Sequence, residues 1–513
     1  MKTADKLLRS QAIFTALQER PQPGFVAVQG NRILACGGGD GAAYAGPDTE
    51  IYELDDRLVC PGFSDVHCFF TGYALGFAGA DLSAAANADE LLAAVRDHAG
   101  SLPAGDSVLG HGLRRGIVAA EDVLDGMFGE TPCVLFYEDG ESCLMNGAAR
   151  RTFGFTPETC CSESYWRLLR YLLNDRDFIV PAYQKYLAML NARGVTSTKE
   201  MGFDDFYGFP DVLERLEAEN ALTMRVHFMS QPVGAPANLP YARAMRERFT
   251  GPFVRFSGFN QMTDGSISCL EGDLKQPYLC APTRCAKQID YAAIEAETLA
   301  ADAEGFRFSL HAQGDAAIAR VLDIYEKCRR NPDGTLANRH AITDLEFSDP
   351  ADLERMGRLG AIAEIYPQIQ SIADREGKLA MIREKIGEER GRYYWNRRKM
   401  ADSGVTISCG TDLPLTIDDI PQSVYHAVGG YFPEGGEPFN PQNMLTVSEL
   451  LTAWTRGGQV NLGRERELGT LEAGKLADIA VLDGNLFAVA PKDARAVRAC
   501  LTLVDGKVVY SSL

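Results

Sequence analysis

The chain has 513 residues, of which 46% are hydrophobic and 24% are charged, as in an ordinary soluble globular enzyme. This length is sufficient for one large domain and a smaller one. The formal net charge of −19, from 51 basic and 70 acidic residues, argues against nucleic acid and anionic membranes as partners.

The first residues of the chain and its cysteines indicate the cellular compartment of the protein. Residues 1–6 carry no apolar segment of the secretory type, and no stretch has the uninterrupted apolar length of a membrane-spanning helix. The 13 cysteines are odd in number and scattered, without a Cys-x-x-Cys spacing, so reduced thiols are expected rather than disulfides or a zinc ribbon. We therefore expect a cytoplasmic protein.

Both ends of the chain show the pattern of short strands. Residues 12–53 alternate β-branched runs with glycine-rich turns, which predicts a small sheet. The glycines at 37–39 do not form a phosphate-binding loop, because neither Lys-Ser/Thr nor a helical pattern follows them. Residues 504–510 predict a terminal hairpin.

Between residues 61 and 463, strand-like runs alternate with helical ones, which is typical of βα units around a parallel sheet. Ten strands are predicted, at residues 58–70, 108–111, 133–137, 195–198, 224–228, 254–256, 306–311, 341–344, 361–365 and 405–409. An eight-stranded barrel cannot contain all ten strands, so we expect some of them to belong to an arm or insertion within residues 80–190.

The extended stretch at residues 58–70 directs Asp65, His67 and Phe69 to one side, because side chains alternate along a strand. Its Pro-Gly-Phe-x-Asp-x-His segment resembles the first barrel strand of the amidohydrolase superfamily. In that family two histidines, one residue apart, hold a catalytic metal at the mouth of a (β/α)8 barrel. Phe69 stands at the second histidine position here.

Two later strand ends resemble further motifs of that superfamily. Residues 308–315 are similar to its His-Ala-x-Gly-Asp motif, which makes His311 the equivalent of a metal-binding histidine. Residues 404–412 are similar to its Gly-Ser-Asp end, which makes Asp412 a metal ligand that also accepts the proton of the attacking water.

The remaining motifs extend the resemblance over nearly the whole chain. Residues 139–142 and 263–266 match in the right order, and residues 469–478 match the Gly-x-Leu-x-x-Gly-Lys-x-Ala-Asp of amidohydrolase C-termini. The pattern is that of the branch with N-substituted formamide deformylase-like proteins. The resemblance implies an α/β fold, with a TIM barrel over residues 61–464 and a small composite β-sandwich from residues 1–60 and 465–513.

Three further positions depart from the pattern of this branch. Asn260 stands where a lysine is common, Asp344 stands where the next histidine is expected, and Glu141 replaces the histidine of Asp-Gly-His-Ser. Because a bridging group and two imidazoles are missing, the resemblance no longer implies a two-metal centre.

The metal ligands that remain are His67, His311, Asp344 and Asp412. Two imidazoles and two carboxylates suit one divalent ion, with zinc expected first and iron or manganese as alternatives. Such an ion would lower the pKa of a bound water to about 7, and Asp412 would accept its proton. We take His67, His311 and Asp412 as the catalytic residues.

Four residues are predicted to contact the substrate, namely Phe69, Glu141, Asn260 and Lys199. Phe69 would dry the pocket or stack on the substrate. Lys199-Glu200 lies at a strand end, and the sequence leaves open whether it is a surface ion pair or a replacement acid and base.

Each candidate also has a structural interpretation. A histidine at a strand end is often a hydrogen-bonded core residue, Asp344 could cap the next helix, and Asp412 could belong to a turn. Alternation directs Cys68 into the barrel wall, and His340 falls at the beginning of its strand, away from the mouth.

Two functions follow from the residues and the resemblance. The first is hydrolysis of a non-peptide C–N bond, in an amide or formamide of a small molecule, by a metal-activated water. The alternative is a protein that binds no metal, either a lyase or isomerase with a histidine–aspartate acid–base pair or a small-molecule-binding homologue without turnover. The sequence leaves open whether the chain forms a homodimer.

Overall fold

The computed structural model of the chain describes residues 3–72, 76, 79–103, 105–117, 121–138, 142–160, 168, 176–204, 209–232, 235–414 and 419–513. The strands in this part of the chain are β1 (Lys6–Ile13), β2 (Gln22–Gln29), β3 (Arg32–Gly37), β4 (Glu50–Glu53), β5 (Leu58–Pro61), β6 (Phe63–Cys68), β7 (Ala80–Asp81), β8 (Val108–Leu113), β9 (Cys133–Tyr137), β10 (Cys143–Met145), β11 (Val195–Glu200), β12 (Arg225–Ser230), β13 (Val254–Met262), β14 (Phe308–Ala312), β15 (Ala341–Asp344), β16 (Ile362–Ile365), β17 (Thr406–Cys409), β18 (Ile479–Leu482), β19 (Ala499–Val504) and β20 (Lys507–Ser511).

The α-helices are α1 (Ala88–Ser101), α2 (Glu121–Phe128), α3 (Gly147–Phe153), α4 (Arg176–Asn191), α5 (Phe209–Ala218), α6 (Leu239–Arg248), α7 (Tyr291–Ala303), α8 (Asp315–Tyr325), α9 (Pro350–Leu359), α10 (Arg375–Lys385), α11 (Glu388–Gly391), α12 (Arg397–Asp402), α13 (Gln422–Ala427), α14 (Val447–Thr452) and α15 (Gly458–Leu462). Local sequence explains where several of them begin. Asn87 caps α1, and Thr446 with Glu449 forms a capping box at α14. None of the described helices is long and apolar enough to cross a membrane.

Eight strands form the barrel, as the resemblance implies. They are parallel and lie in the order β17-β16-β15-β14-β13-β12-β11-β6. The two outer strands approach each other where the Asp412 N–H donates to the His67 carbonyl at 2.8 Å and Cys68 pairs with Leu413. The fold is therefore a TIM barrel.

Two of the ten predicted strands lie outside the barrel. Strands β8 and β9 belong to a separate four-stranded sheet in the order β10-β9-β8-β7. This sheet lies in a compact unit of residues 69–186 and 203–215, and its core contains Leu82, Leu91 and Leu135. The barrel and the terminal strands fall in the other unit, which comprises residues 1–68, 187–202 and 216–513.

Strands from both chain ends build one further sheet. Its order is β20-β19-β18-β5-β1-β2-β3, with β4 paired to β1. Strand β18 runs antiparallel to β5, which leads directly into the first barrel strand. Leu8, Val59 and Leu501 are among the buried residues of its core. This is the extra β domain of both termini, whereas its predicted boundaries after residues 60 and 464 stay predictions.

Five of the eight barrel strands, β6, β11, β12, β15 and β16, are buried along their whole length, because a parallel sheet is covered on both faces. All residues of β6, β11 and β16 are buried, so their polar side chains must find partners inside the protein. Gly62 precedes the first barrel strand. A Cβ atom at this position would lie 2.2 Å from the Thr196 hydroxyl, so there is no room for a side chain.

Candidate active site

Four of the predicted residues lie at the carboxyl ends of barrel strands, where active sites of this fold are built. His311 Nε2 lies 3.1 Å from Asp344 Oδ2, and His67 Nε2 lies 3.8 Å from Asp412 Oδ1. Gly410 allows this approach, since a Cβ there would lie 2.6 Å from the His67 Cβ. The mouth therefore holds two pairs of an imidazole and a carboxylate.

The electrostatic environment links the two pairs. Burial raises the pKa of Asp412, and the charge of Asp344 raises it further, while His67 and His311 act in the opposite direction. Burial alone would lower the pKa of His311, but the hydrogen bond and charge of Asp344, together with nearby aspartates, raise it overall. A carboxylate with a raised pKa is a stronger base than a free one, as catalytic proton transfer requires.

Both carboxylates of the mouth stand on unusual backbone. Asp344 has a φ of 77° and Asp412 a φ of 56°, in the left-handed region that few residues other than glycine adopt. Strained backbone of this kind clusters at functional sites. The expectation that Asp344 could cap the next helix is wrong, because Asp349 caps α9 by accepting from the Ala351 N–H.

A carboxylate that the sequence analysis missed lies behind His67. Glu364 of β16 is fully buried, and its Oε2 atom lies 3.5 Å from His67 Nδ1. Burial alone would raise the pKa of Glu364, but Lys199, His67 and Arg307 together hold it well below its usual value. The available signal was an acid in the otherwise apolar run at residues 361–365, because buried acids are rare unless they are paired.

Lys199 occupies a different place from the one predicted. Its side chain is fully buried inside the barrel, where the ammonium contacts Glu364 and donates to Asn461 Oδ1 at 3.0 Å. The prediction of a surface ion pair between Lys199 and Glu200 is therefore wrong, since the partner of Lys199 is the buried Glu364. Lys199 stabilises the charge of Glu364, and its assignment as a substrate-binding residue stays a prediction.

Asp264 organises the loop that follows His311. Its carboxylate accepts from the N–H groups of Gln313, Gly314 and Asp273 at 3.0, 2.8 and 2.9 Å. One carboxylate oxygen lies 3.7 Å from His311 Nδ1. That buried nitrogen has no hydrogen-bond partner in the part of the chain that the structure describes.

The three other substrate-binding candidates stay predictions. Asn260 of β13 is buried and donates to Gln231 Oε1 at 2.9 Å. Phe69 follows β6 directly, is half-buried, and belongs to the unit of residues 69–186 and 203–215. Glu141 lies outside the described residues.

The donor set at the mouth fits one divalent ion by its chemistry. Two imidazoles and two carboxylates are present, and Glu364 stands behind His67 as carboxylates do behind metal-binding histidines. His311 Nδ1, which lacks a hydrogen-bond partner among the described residues, is a further donor. The four side chains form two separate pairs, because no three donor atoms of these described residues lie within 4.8 Å of one another.

A second group of potential ligands, which sequence reasoning did not identify, lies at the other end of β15. Asp302, Cys328 and His340 bring three donor atoms within 4.8 Å of one another. However, His340 Nδ1 accepts from the Phe308 N–H at 3.0 Å, and Nε2 lies 2.9 Å from Asp302. Burial raises the pKa of Cys328 to about 12, so this thiol is neutral. The group is a satisfied hydrogen-bond cluster at the foot of the barrel.

The comparisons with known proteins agree with the fold and the motifs. The putative amidohydrolase YtcJ of Bacillus subtilis (strain 168) is 23% identical over 537 residues, which cover 97% of this chain and 98% of that protein. The N-substituted formamide deformylase of Arthrobacter pascens is 30% identical over 224 residues, which cover 43% of this chain and 40% of that protein.

A solved structure shows the same fold over nearly its whole length. An uncharacterized metal-dependent hydrolase from Pyrococcus horikoshii OT3 superimposes with a TM-score of 0.75 at 20% identity, covering 95% of this chain and 99% of that one. The model of a family described as "Amidohydrolase family" matches residues 50–510. The chain therefore belongs to the amidohydrolase family of hydrolases.

Proposed function

We propose that this protein is a metal-dependent hydrolase that cleaves a non-peptide C–N bond, in an amide or formamide of a small molecule. The observation that carries the proposal is the pairing at the barrel mouth of His67 with Asp412 and of His311 with Asp344. The names of the two relatives, a putative amidohydrolase and an N-substituted formamide deformylase, support the C–N bond as the target.

The residues divide the work as follows. His67, His311, Asp344 and Asp412 would hold the ion, which would supply acidification of a water and polarisation of the scissile carbonyl. Asp412 accepts a proton, because burial raises the pKa of its carboxyl group, and later donates it to the leaving nitrogen. Glu364 keeps the His67 ring in place from behind.

One observation favours a second candidate function. His311 and Asp344 already contact each other at 3.1 Å, which is the geometry of an acid–base pair that needs no metal. In this case the protein is a lyase or isomerase, or it binds a small molecule without turnover.

Metal analysis separates the two functions. Plasma mass spectrometry of purified wild type, His311→Ala and Asp412→Ala measures the metal content of each. We expect one zinc, iron or manganese ion per wild-type chain and a clear loss in both variants. His98→Ala, on the separate helix α1, is the matched control and should retain the wild-type content. A metal-free wild type, after growth with each of the three metals, would rule out the metal-dependent mechanism.

Substrate screening tests which type of C–N bond the protein cleaves. N-benzylformamide, N-acetylbenzylamine and a dipeptide are incubated with the metal-loaded protein, and released formate, acetate or amino acid is quantified. We expect release from one of the first two. Cleavage of the dipeptide alone would contradict the non-peptide assignment.

A further inference from the structure

Asp65 of β6 lies where the barrel closes. It precedes His67 by two residues, so the alternation of side chains places both on the same face of the strand. Strand β6 stands at one end of the barrel sheet and β17 at the other, and the chain after β17 leads directly to Asp412. The Asp65 side chain is fully buried at this junction.

The Asp65 carboxylate binds both of the chain segments that meet there. Its Oδ1 atom accepts from the Thr411 N–H at 3.0 Å and from the His67 N–H at 3.3 Å. Its Oδ2 atom accepts from the Thr411 hydroxyl at 2.6 Å. Asp65 therefore ties the residue before Asp412 to the backbone of His67.

This connection restrains the strained backbone of Asp412. The Thr411 hydroxyl also accepts from the Leu413 N–H at 3.2 Å, so the residues on both sides of Asp412 are fixed through the group that Asp65 holds. A left-handed φ at a residue with a side chain persists only where the surrounding structure imposes it. Without the Asp65 carboxylate, Asp412 could relax, and its own carboxylate would move relative to the His67 ring.

Asp65 is more than a contact that closes the barrel. The Asp412 N–H still donates to the His67 carbonyl at 2.8 Å when Asp65 is removed, so the two ends of the barrel remain joined. Asp65 pairs with no lysine or arginine in the part of the chain that the structure describes, and its charge is balanced by donors of Thr411 and His67. A buried carboxylate costs free energy, and the groups that it holds here are those that carry the candidate site.

We propose that Asp65 is a positioning residue of the candidate site, which fixes the His67 imidazole and the Asp412 carboxylate relative to each other across the closure of the barrel. This inference rests on the proposed hydrolase function, in which both residues hold the ion. Asp65 itself acts only through the backbone of His67 and through Thr411.

The first measurement is the zinc affinity of folded protein, from competition between the metal-free protein and a chromogenic chelator. Asp65→Ala should weaken zinc binding about 10-fold or more, as for other groups that orient metal ligands. Thr411→Val, which removes one donor to Asp65, should weaken it less, and Thr411→Ser should keep the wild-type affinity because it retains the hydroxyl. Asp302→Ala is the matched control. Asp302 is a buried aspartate at the foot of the barrel, and its removal should leave zinc affinity unchanged.

The ring nitrogens of the histidines report on the site without a metal. The chain has 7 histidines, so ring-labelled protein gives few nitrogen NMR signals, and His67→Gln and His340→Gln assign two of them. In metal-free protein, Asp65→Ala and Thr411→Val should each shift the His67 signal and leave that of His340 in place. Thr411→Val retains the Asp65 carboxylate, so its effect reports position rather than lost charge. Asp302→Ala should shift only the His340 signal, because Asp302 lies 2.9 Å from His340 Nε2.

Three results would overturn the proposal. They are an unchanged zinc affinity in folded Asp65→Ala, an equal loss of affinity in Asp302→Ala, and a His67 signal that neither Asp65→Ala nor Thr411→Val moves. Thermal melts show whether each variant is folded, and if Asp65→Ala is not, Thr411→Val and Thr411→Ser decide. A wild type that binds no zinc, iron or manganese would contradict the proposed function, whereas the histidine signals of the metal-free protein would still decide the role of Asp65.

Discussion

The His67 ring is held between Glu364 Oε2, 3.5 Å from its Nδ1 atom, and Asp412 Oδ1, 3.8 Å from its Nε2 atom. Because Glu364 is held ionised, it favours the tautomer with the proton on Nδ1 and leaves the Nε2 lone pair facing the barrel mouth. The charge of Glu364 depends in turn on the buried Lys199 and Arg307. A polar network inside the barrel thus determines how the His67 ring faces the barrel mouth.

We expect Glu364→Gln to destabilise the protein by about 3–5 kcal/mol, because Lys199 would be left as a buried charge without a carboxylate partner. Urea unfolding measures the loss. The double variant Lys199→Met/Glu364→Gln should recover part of it, since both charges are then removed. Glu354→Gln is the control, because Glu354 pairs with Lys399 on the surface and should cost less than about 1 kcal/mol. A double variant less stable than Glu364→Gln would contradict the pairing.

Glu364→Gln should also weaken metal binding about 10- to 100-fold, because groups that orient a ligand histidine affect affinity to this extent. Competition with a chromogenic chelator measures the affinity of folded protein. Unchanged affinity in a folded variant would show that Glu364 does not position His67.

Asp264→Ala should cost about 3 kcal/mol or more, because three backbone N–H groups lose their acceptor at once. Asp264→Asn keeps one acceptor oxygen and should cost less. Denaturant unfolding of both variants gives the order of stability. Equal losses would mean that the loop after His311 is held by other contacts.

Asp478→Ala should cost about 2–3 kcal/mol, because it removes the bidentate partner of the buried Arg225, which keeps one carboxylate contact, with Asp505 at 2.9 Å. Arg225 begins barrel strand β12, and Asp478 ends the C-terminal Gly-Lys-x-Ala-Asp motif, so the pair joins the barrel to the terminal sheet. Arg225→Met/Asp478→Ala should be more stable than Asp478→Ala alone, as urea unfolding would show. If the double variant were less stable than Asp478→Ala, Asp478 would not act mainly as the partner of Arg225.

Asp315 should make stability depend on pH. Burial raises its pKa from 3.8 to about 6, so the folded state binds the proton more tightly than the unfolded state. The stabilisation is fully present below pH 3.8 and is lost as the pH rises through 6. The stability of wild type relative to Asp315→Asn should therefore fall by about 2 kcal/mol between pH 4 and pH 7. If the stability difference between wild type and Asp315→Asn did not change with pH, the pKa of Asp315 would not be raised in the folded state.

The candidate site could be predicted only in part. His67, His311, Asp344 and Asp412 stand at strand ends, and in a barrel all such ends converge on one mouth, so local pattern and family motifs were enough to find them. The pairing of His67 with Glu364 could not be found in this way, because 297 residues separate them.

The sequence by itself determined the barrel, the extra β domain from both chain ends, and the four residues at the mouth. Periodicity and short motifs express these features locally. The tertiary structure decided that β8 and β9 lie outside the barrel and that Lys199 is buried against Glu364. These features depend on which distant side chains share a low-dielectric interior, and only the packing of the whole barrel brings those side chains together.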